Sequence, residues 1–282
     1  MFTQANGNYL PHKGDTYPER LLYLSGEILL FMNQILGIIP ARYASTRFPG
    51  KVLADIAGKT MLRRVYEQVS GCSSLAKVVV ATDHELVAEE VQRFGGEVVF
   101  THEDHPSGTD RCFEALQKTA GHFSHVINIQ GDEPFIKPSQ IDLVAEALQR
   151  EGADIATLII KVDTTEQLTD PGEAKVVLKA NGEAIYFSRQ AIPHLRGIPL
   201  ENWLQHHTFY RHVGIYGYRS EVLEAITRLA PSPLEECEKL EQLRWLEHGY
   251  RIQTALTNED SFCVETPEDL VRAVEMAELS GI

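Results

Sequence analysis

The apolar positions of this chain fall into short runs that switch between two periods. Ile35–Ile39 is a continuous apolar run closed by Pro40, which predicts a fully buried strand. Thr60 then precedes apolar residues at helical spacing over Met61–Ser70, with Gly71 as a stop signal. The β-branched run Lys77–Thr82 predicts a second strand, and Asp83 stands where it can cap a helix over His84–Phe94 that Gly95 ends. Glu97–Thr101 and His125–Gln130 read as strands, Thr109–Thr119 as a helix between them. Pro138 sits suitably at the first turn of a helix to Arg150, and Asp154–Lys161 is a further strand. Strands alternating with helices of this length predict an α/β fold with a mostly parallel, Rossmann-like sheet flanked by helices.

The rhythm then changes. Lys175–Lys179 and Glu183–Phe187 flank Ala180-Asn181-Gly182, a hairpin signal. Residues 190–208 read as irregular, Phe209–Tyr218 as a strand, and Ser220–Leu229 and Leu234–His248 as helices. Arg251–Leu256 is a late strand and Pro267–Leu279 a closing helix. The hairpin region, about 174–218, is expected to form a smaller lobe on the main sheet. No internal repeat or low-complexity tract is visible.

The first 31 residues stand apart. Met1–Arg20 is polar, rich in Asn, Gly and Pro, and has no period. Leu21–Ile39 is apolar enough to resemble a membrane span, but Ser25, Gly26, Glu27, Asn33 and Gln34 interrupt it and no A-x-A cleavage pattern follows. No membrane insertion is expected. Met32 stands just before the first strand, so the expectation is a translation start there, with 1–31 an extension and 32–282 a single domain.

Composition sharpens the search for a site. The 282 residues carry a net charge of −14, which argues against a general nucleic-acid binder with a basic surface. An anionic ligand would then need a local cationic site. Arg42, Arg47 and Lys51 supply one directly after the first strand, spaced by Ala44, Ser45, Pro49 and Gly50. Two guanidinium forks, an ammonium and exposed backbone N–H groups suit a polyphosphate. The loop is not a Walker A motif, because Val52 follows Lys51. The bland reading is a basic surface loop without a ligand.

Ligands of open α/β sheets bind outside the carboxyl ends of the strands. Asp83 and Gln130-Gly131-Asp132-Glu133 occupy such ends and bring carboxylates that can hold a divalent cation. Asp132 is the first candidate, with Glu133 adjacent. Cys72, Cys112, Cys237 and Cys263 are scattered and form no C-x-x-C pair, which suits reduced thiols and no structural zinc. His102, His105, His122, His125, His206 and His207 match no zinc pattern and read as surface or loop histidines.

Longer blocks carry a resemblance. They begin with Gly37-Ile-Ile-Pro-Ala-Arg42-Tyr-Ala-Ser45-Thr-Arg47-Phe-Pro-Gly50-Lys51 and Ala81-Thr82-Asp83. Ser107-Gly108-Thr109-Asp-Arg111 and Asn128-Ile-Gln130-Gly-Asp132-Glu-Pro134 follow. Tyr186-Phe-Ser-Arg189, Arg211-His212-Val-Gly-Ile-Tyr216-Gly-Tyr218, Leu240-Glu241-Gln242-Leu-Arg244 and Thr266-Pro-Glu-Asp-Leu270 complete the series. In this order, over roughly residues 35 to 280, they resemble the 3-deoxy-manno-octulosonate (Kdo) cytidylyltransferases of the nucleotide-diphospho-sugar transferase superfamily.

The resemblance implies that fold, with an inserted hairpin lobe that covers the sugar and supports a homodimer. It implies CMP transfer from CTP to the anomeric hydroxyl of Kdo with Mg²⁺, in the cytoplasm, for lipopolysaccharide synthesis. It points to Arg42, Ser45, Arg47 and Lys51 for the triphosphate, and to Thr82, Asp83, Ser107, Gly108, Thr109 and Gln130 for the rest of the nucleotide. Arg189, His212, Tyr216, Glu241 and Gln242 fall to the sugar acid, and Asp132 and Glu265 to the metal; Arg42, Lys51, Asp132 and Glu265 would carry catalysis. One position departs from the family's V-D-T-P-E-D-L, since this chain reads Val264-Glu265-Thr266. The longer side chain is either tolerated or weakens catalysis. The remaining alternatives are an 8-amino-Kdo or sialic-acid cytidylyltransferase, whose sialic-acid members read R-G-S-K in the first motif, and a nucleotide-binding homologue without turnover.

Overall fold

Ile35–Pro40 (β1) lies in the interior of the main sheet, and Ile35, Leu36, Ile38 and Ile39 are all at most 4% exposed. The computed structural model describes residues 34–44 and 48–280, together with two short strands, Tyr23–Leu24 and Glu27–Ile28. The chain divides into two units, Met1–Met32 and Asn33–Ile282. In the first, the two short strands pair antiparallel. The expected start at Met32 lies outside the described residues.

In the second unit, nine strands form one sheet among the described residues. Besides β1 they are Lys77–Thr82 (β2), Val98–Phe100 (β3), His125–Asn128 (β4), Ile155–Lys161 (β5), Lys175–Leu178 (β6), Ala184–Ser188 (β7), Tyr210–Arg219 (β8) and Ile252–Leu256 (β9). β3, β2, β1 and β4 run parallel side by side. β8 is antiparallel to β4, β5 and β6, and β9 continues parallel to β5. The hairpin β6–β7 forms with Gly182 at φ 81 in its turn, a conformation glycine adopts without a Cβ penalty. It extends the same sheet beside the first half of β8.

Helices cover both faces. On one side Met61–Ser70 (α1), Glu85–Arg93 (α2) and Pro138–Leu148 (α4) bury Leu62, Val65, Val87, Val91, Ile141 and Val144. On the other, Gly108–Lys118 (α3), Ser220–Ile226 (α7) and Gln242–Glu247 (α9) bury Cys112, Ala115, Leu223, Leu243 and Trp245. Thr165–Thr169 (α5), Trp203–His206 (α6), Pro233–Glu238 (α8) and Pro267–Ser280 (α10) complete the set. Thr60 caps α1, its side chain accepting from the Arg63 N–H, and Ser107 caps α3 by accepting from Asp110 N–H.

Three expectations need correction. Asp83 does not cap α2; the ring nitrogen of His84 accepts from Leu86 N–H instead, and Asp83 takes an ion pair with Arg111. The single helix expected over Leu234–His248 is two, α8 and α9, broken at Lys239 in a left-handed conformation with φ 53. The Arg189 guanidinium serves the break: its Nε donates to the Glu238 carbonyl at 2.7 Å and Nη2 approaches the Lys239 carbonyl at 3.4 Å, so those carbonyls find partners outside the helix. His125 is not a surface histidine but a strand residue 8% exposed, paired with Ser124 Oγ.

β8 carries a bulge that matters for the site. Val213 faces Leu158 and Tyr216 faces Thr157, so Gly214 and Ile215 are extra residues in the ladder. The Thr157 hydroxyl donates to the Ile215 carbonyl at 2.7 Å and holds the bulge in place. In a regular strand residues four apart lie about 13 Å apart. Here His212 and Tyr216 occupy adjacent same-face positions with ring centroids 5.0 Å apart.

Candidate active site

The loops after β1 and β4 meet at the carboxyl end of the parallel strands, and a cavity of about 300 Å³ opens between them. Arg42 and Lys51 border it from the first loop, Gln130, Gly131 and Asp132 from the second, and Ser107, Gly108 and Arg111 from the start of α3. Glu265 enters from the segment before α10. Ser45 and Arg47 lie outside the described residues.

Lys51 is the pivot of the acidic side. Its Nζ donates to Asp132 Oδ2 at 2.5 Å and to the Val264 carbonyl at 2.9 Å. Val264 N–H in turn donates to the Asp132 carbonyl at 2.9 Å, which clamps the two acidic segments side by side. Asp269 Oδ2 accepts from the backbone N–H groups of Glu265 and Thr266 and fixes the turn that presents Glu265. Gly131 makes the approach possible, because a Cβ there would stand 2.8 Å from the Pro40 carbonyl oxygen. Asp132 and Glu265 thus border one cavity with an all-oxygen donor set, which fits Mg²⁺ with one or two carboxylates, phosphates and water.

Asp132 and Glu133, adjacent in sequence, have opposite environments. Asp132 faces the cavity and pairs with Lys51. Glu133 is 5% exposed behind it, and burial, with the charges of Asp132 and Asp260, pushes its carboxyl up to about 7.

The nucleotide candidates on β2 and α3 interlock. Arg111, 3% exposed, donates to Asp83 Oδ2 at 2.9 Å and to Thr101 Oγ1 at 2.6 Å. Thr82 is fully buried and its carbonyl accepts from Thr101 N–H. Asp83 therefore braces Arg111, which itself borders the cavity.

The sugar candidates gather beside that turn rather than in its cavity. Thr109 Oγ1 donates to Glu241 Oε2 at 2.9 Å. Burial raises the Glu241 carboxyl above its ordinary range, against the hydrogen bonds of Thr109 and Ser107 that lower it. Tyr216 packs edge-on against Trp245 at 5.1 Å, and Gln242 is buried at the start of α9. His212 Nε2 lies 2.8 Å from Thr157 Oγ1. Since the one hydroxyl proton of Thr157 goes to Ile215, His212 must donate from Nε2, and its Nδ1 keeps a lone pair. Burial pulls the imidazole down to about 4. Arg189 stands elsewhere: besides Glu238 and Lys239 it donates to the carbonyls of Pro171 and Gly172.

A cytidylyltransferase family profile matches residues 36–252. The 3-deoxy-manno-octulosonate cytidylyltransferase of Cytophaga hutchinsonii is 55% identical over 239 residues, covering 84% of this chain and 95% of that one. The protein of the same name from Parabacteroides distasonis is 50% identical over 86% of this chain and 98% of its own. The chain belongs to the 3-deoxy-manno-octulosonate cytidylyltransferase family. A solved CMP:2-keto-3-deoxy-manno-octonic acid synthetase complexed with CTP has a TM-score of 0.81 at 36% identity, over 88% of this chain and 99% of that one.

Within this cytidylyltransferase two site neighbours escaped the sequence reading. His105, expected as a surface or loop histidine, stands in the loop before α3, where it borders the cavity and pairs with Glu114. Tyr43 stacks on His84 with ring centroids 4.0 Å apart, tying the first loop to the end of β2. The Pro after His105 and the position three residues before the α3 start were the available signals. Neither is specific without the fold.

Proposed function

We propose that this cytidylyltransferase transfers CMP from CTP to the anomeric hydroxyl of Kdo, releasing pyrophosphate. The observation that carries this reading is identity of 50–55% to relatives of that name over 95–98% of their length. The hydroxyl oxygen attacks the α-phosphorus in line, the bond to the β-phosphate oxygen breaks, and the hydroxyl proton is lost to a base or solvent. No covalent protein nucleophile is required, because positioning and charge neutralisation carry the step.

Arg42, Ser45, Arg47 and Lys51 hold the triphosphate and the departing pyrophosphate. Thr82, Asp83, Ser107, Gly108, Thr109 and Gln130 frame the rest of the nucleotide. Lys51 neutralises Asp132 in the free protein and is drawn to phosphate oxygens when the nucleotide enters. Asp132 and Glu265 are the residues that would hold Mg²⁺, whose chemistry there is to neutralise phosphate charge and orient the substrates. His212 accepts from a sugar hydroxyl at Nδ1, Tyr216 and Gln242 orient the acceptor, and Glu241 does so while tied to the nucleotide turn. Arg189 serves the sugar side through the α8–α9 break that carries Glu241. The resemblance adds a homodimer, a cytoplasmic location and a role in lipopolysaccharide synthesis to the proposal. Among the described residues no helix is long and apolar enough to cross a membrane.

The test is pyrophosphate release with magnesium, CTP and Kdo, for the wild type and Glu265→Asp side by side, with ATP and sialic acid as controls. Release that requires both CTP and Kdo supports the reading, and a similar rate in the variant makes Glu265 a tolerated ligand. Rescue of a silent wild type by Glu265→Asp would mean a drifted metal site. Silence from both, or release with sialic acid, would overturn the Kdo assignment.

A further inference from the structure

Buried polar atoms without partners are costly, about 1–3 kcal/mol each, so a group of them at a site marks what a ligand is shaped to satisfy. Five such atoms lie around the junction of the nucleotide turn and the sugar candidates: Asn128 Oδ1, Tyr216 OH, Gln242 Nε2, and the Tyr218 OH and Trp245 Nε1 of the ring cluster that packs on Tyr216. None has a hydrogen-bond partner among the described residues. Tyr216 and Gln242 already belong to the acceptor side. Asn128 does not, and its placement is the most informative of the five.

Asn128 ends β4 and is 4% exposed. Below it on the same face of the strand Val126 belongs to the apolar core, so the amide is a polar group at the top of an apolar column. Across the ladder it faces Tyr216, its Cα partner on β8. On its other flank it meets α3, where a Cβ on Gly108 would stand 3.7 Å from Asn128 Nδ2. Two residues on, Gln130 borders the cavity. The amide thus sits between the turn that frames the nucleotide and the strand that carries His212 and Tyr216. A chain selected for stability alone would place an apolar residue there, as it does at Val126.

We propose that Asn128 is a specificity-determining contact for the acceptor, its Oδ1 accepting from one hydroxyl of the polyhydroxylated sugar acid. Gln242 Nε2 donates to a second oxygen of the same ligand, and Tyr216 OH closes the set. Tyr218 and Trp245 are fully enclosed and pack on Tyr216, with ring centroids 6.1 and 5.1 Å away. This inference rests on the proposed Kdo reaction.

The experiment compares wild type, Asn128→Leu and Asn128→Ala in steady-state kinetics, with thermal unfolding of each. The acceptors are Kdo and a set of analogues each lacking one hydroxyl. The expected result is a loss of kcat/KM for Kdo of about tenfold or more, with KM for CTP changed less than about twofold. The thermal midpoint should not fall in at least one variant, since an unsatisfied polar group has been removed. The wild type should discriminate against one deoxy analogue that the variants treat like Kdo. Unchanged Kdo kinetics in a folded variant, equal losses for CTP and Kdo, or undiminished discrimination would overturn the role of Asn128 while leaving the reaction standing. Absence of turnover with Kdo in the wild type would overturn the reaction and this inference together.

Discussion

The hydroxyl of Thr109 donates to Glu241 Oε2 at 2.9 Å across 132 positions of sequence. One residue opens the helix that frames the candidate nucleotide site; the other precedes the helix that carries the candidate sugar site. Glu241 is a buried carboxyl, so losing the bond should cost about 1–3 kcal/mol and loosen both subsites at once. Thr109→Val is expected to lower the thermal midpoint by a few degrees and to raise KM for CTP and Kdo together, while Thr109→Ser keeps wild-type values. Thermal unfolding and paired KM measurements check this. A change in only one KM would show that the bond does not link the subsites.

Asp132 accepts from Lys51 at 2.5 Å and borders the cavity that Glu265 shares. Asp132→Asn keeps the shape and removes the charge. Turnover should fall by a factor of about 100 or more, the scale of losing one preorganised charge contact. The circular dichroism spectrum should stay native. Near-normal pyrophosphate release by this variant would remove Asp132 from the metal site.

His212 gives stability a pH dependence of known sign. Burial holds its imidazole at about 4 against an ordinary 6.5. Between those values the unfolded chain binds the proton and the folded protein does not. The contribution is therefore fully present above pH 6.5 and is lost as pH falls towards 4. Its full size is about 3 kcal/mol at roughly 1.4 kcal/mol per pKa unit. Glu133 acts with the opposite sign, because its raised carboxyl favours the protonated folded form as pH falls from about 7. Wild type must thus be compared with His212→Gln, by urea unfolding at pH 7 and pH 4.5. The variant should lose less stability between the two; an equal loss would mean that His212 is solvated and protonated.

Gly131→Ala places a methyl group 2.8 Å from the Pro40 carbonyl oxygen, a backbone atom that cannot swing away. Overpacking of this kind costs about 1–3 kcal/mol. The loops after β1 and β4 must separate, which carries Asp132 away from Glu265. A lower denaturant midpoint together with slower pyrophosphate release is expected. Wild-type values for both would show that the two loops have slack.

Much of the fold was legible because local chemistry and tertiary structure agree. Thr60 followed by an amphipathic run is a capped helix by itself, and Lys77–Thr82 is a strand with the predicted ends. Asn181-Gly182 turns a hairpin because glycine takes the positive φ required. The positions of the cationic loop and of Asp132 at strand ends followed from the alternating pattern alone. Their chemical meaning as a cytidylyltransferase came from whole blocks in order.

Tertiary structure decided the rest, for reasons that no local pattern carries. No glycine or proline marks the break at Lys239; there Arg189, distant in sequence, donates to the Glu238 carbonyl at 2.7 Å and supplies it with a partner outside the helix. The bulge at Gly214–Ile215 leaves the alternation of β8 unbroken, and only the Thr157 hydroxyl on a neighbouring strand shows where it is. That bulge brings His212 onto Tyr216. Asp132 and Glu133 are equivalent carboxylates in sequence, and burial alone separates the one that faces the cavity from the one that does not. The chain's own order thus determined which elements form and which residues stand at their ends. Which of those residues meet depended on long-range hydrogen bonds and close packing, since contact between distant positions is a property of the folded chain and not of any segment within it.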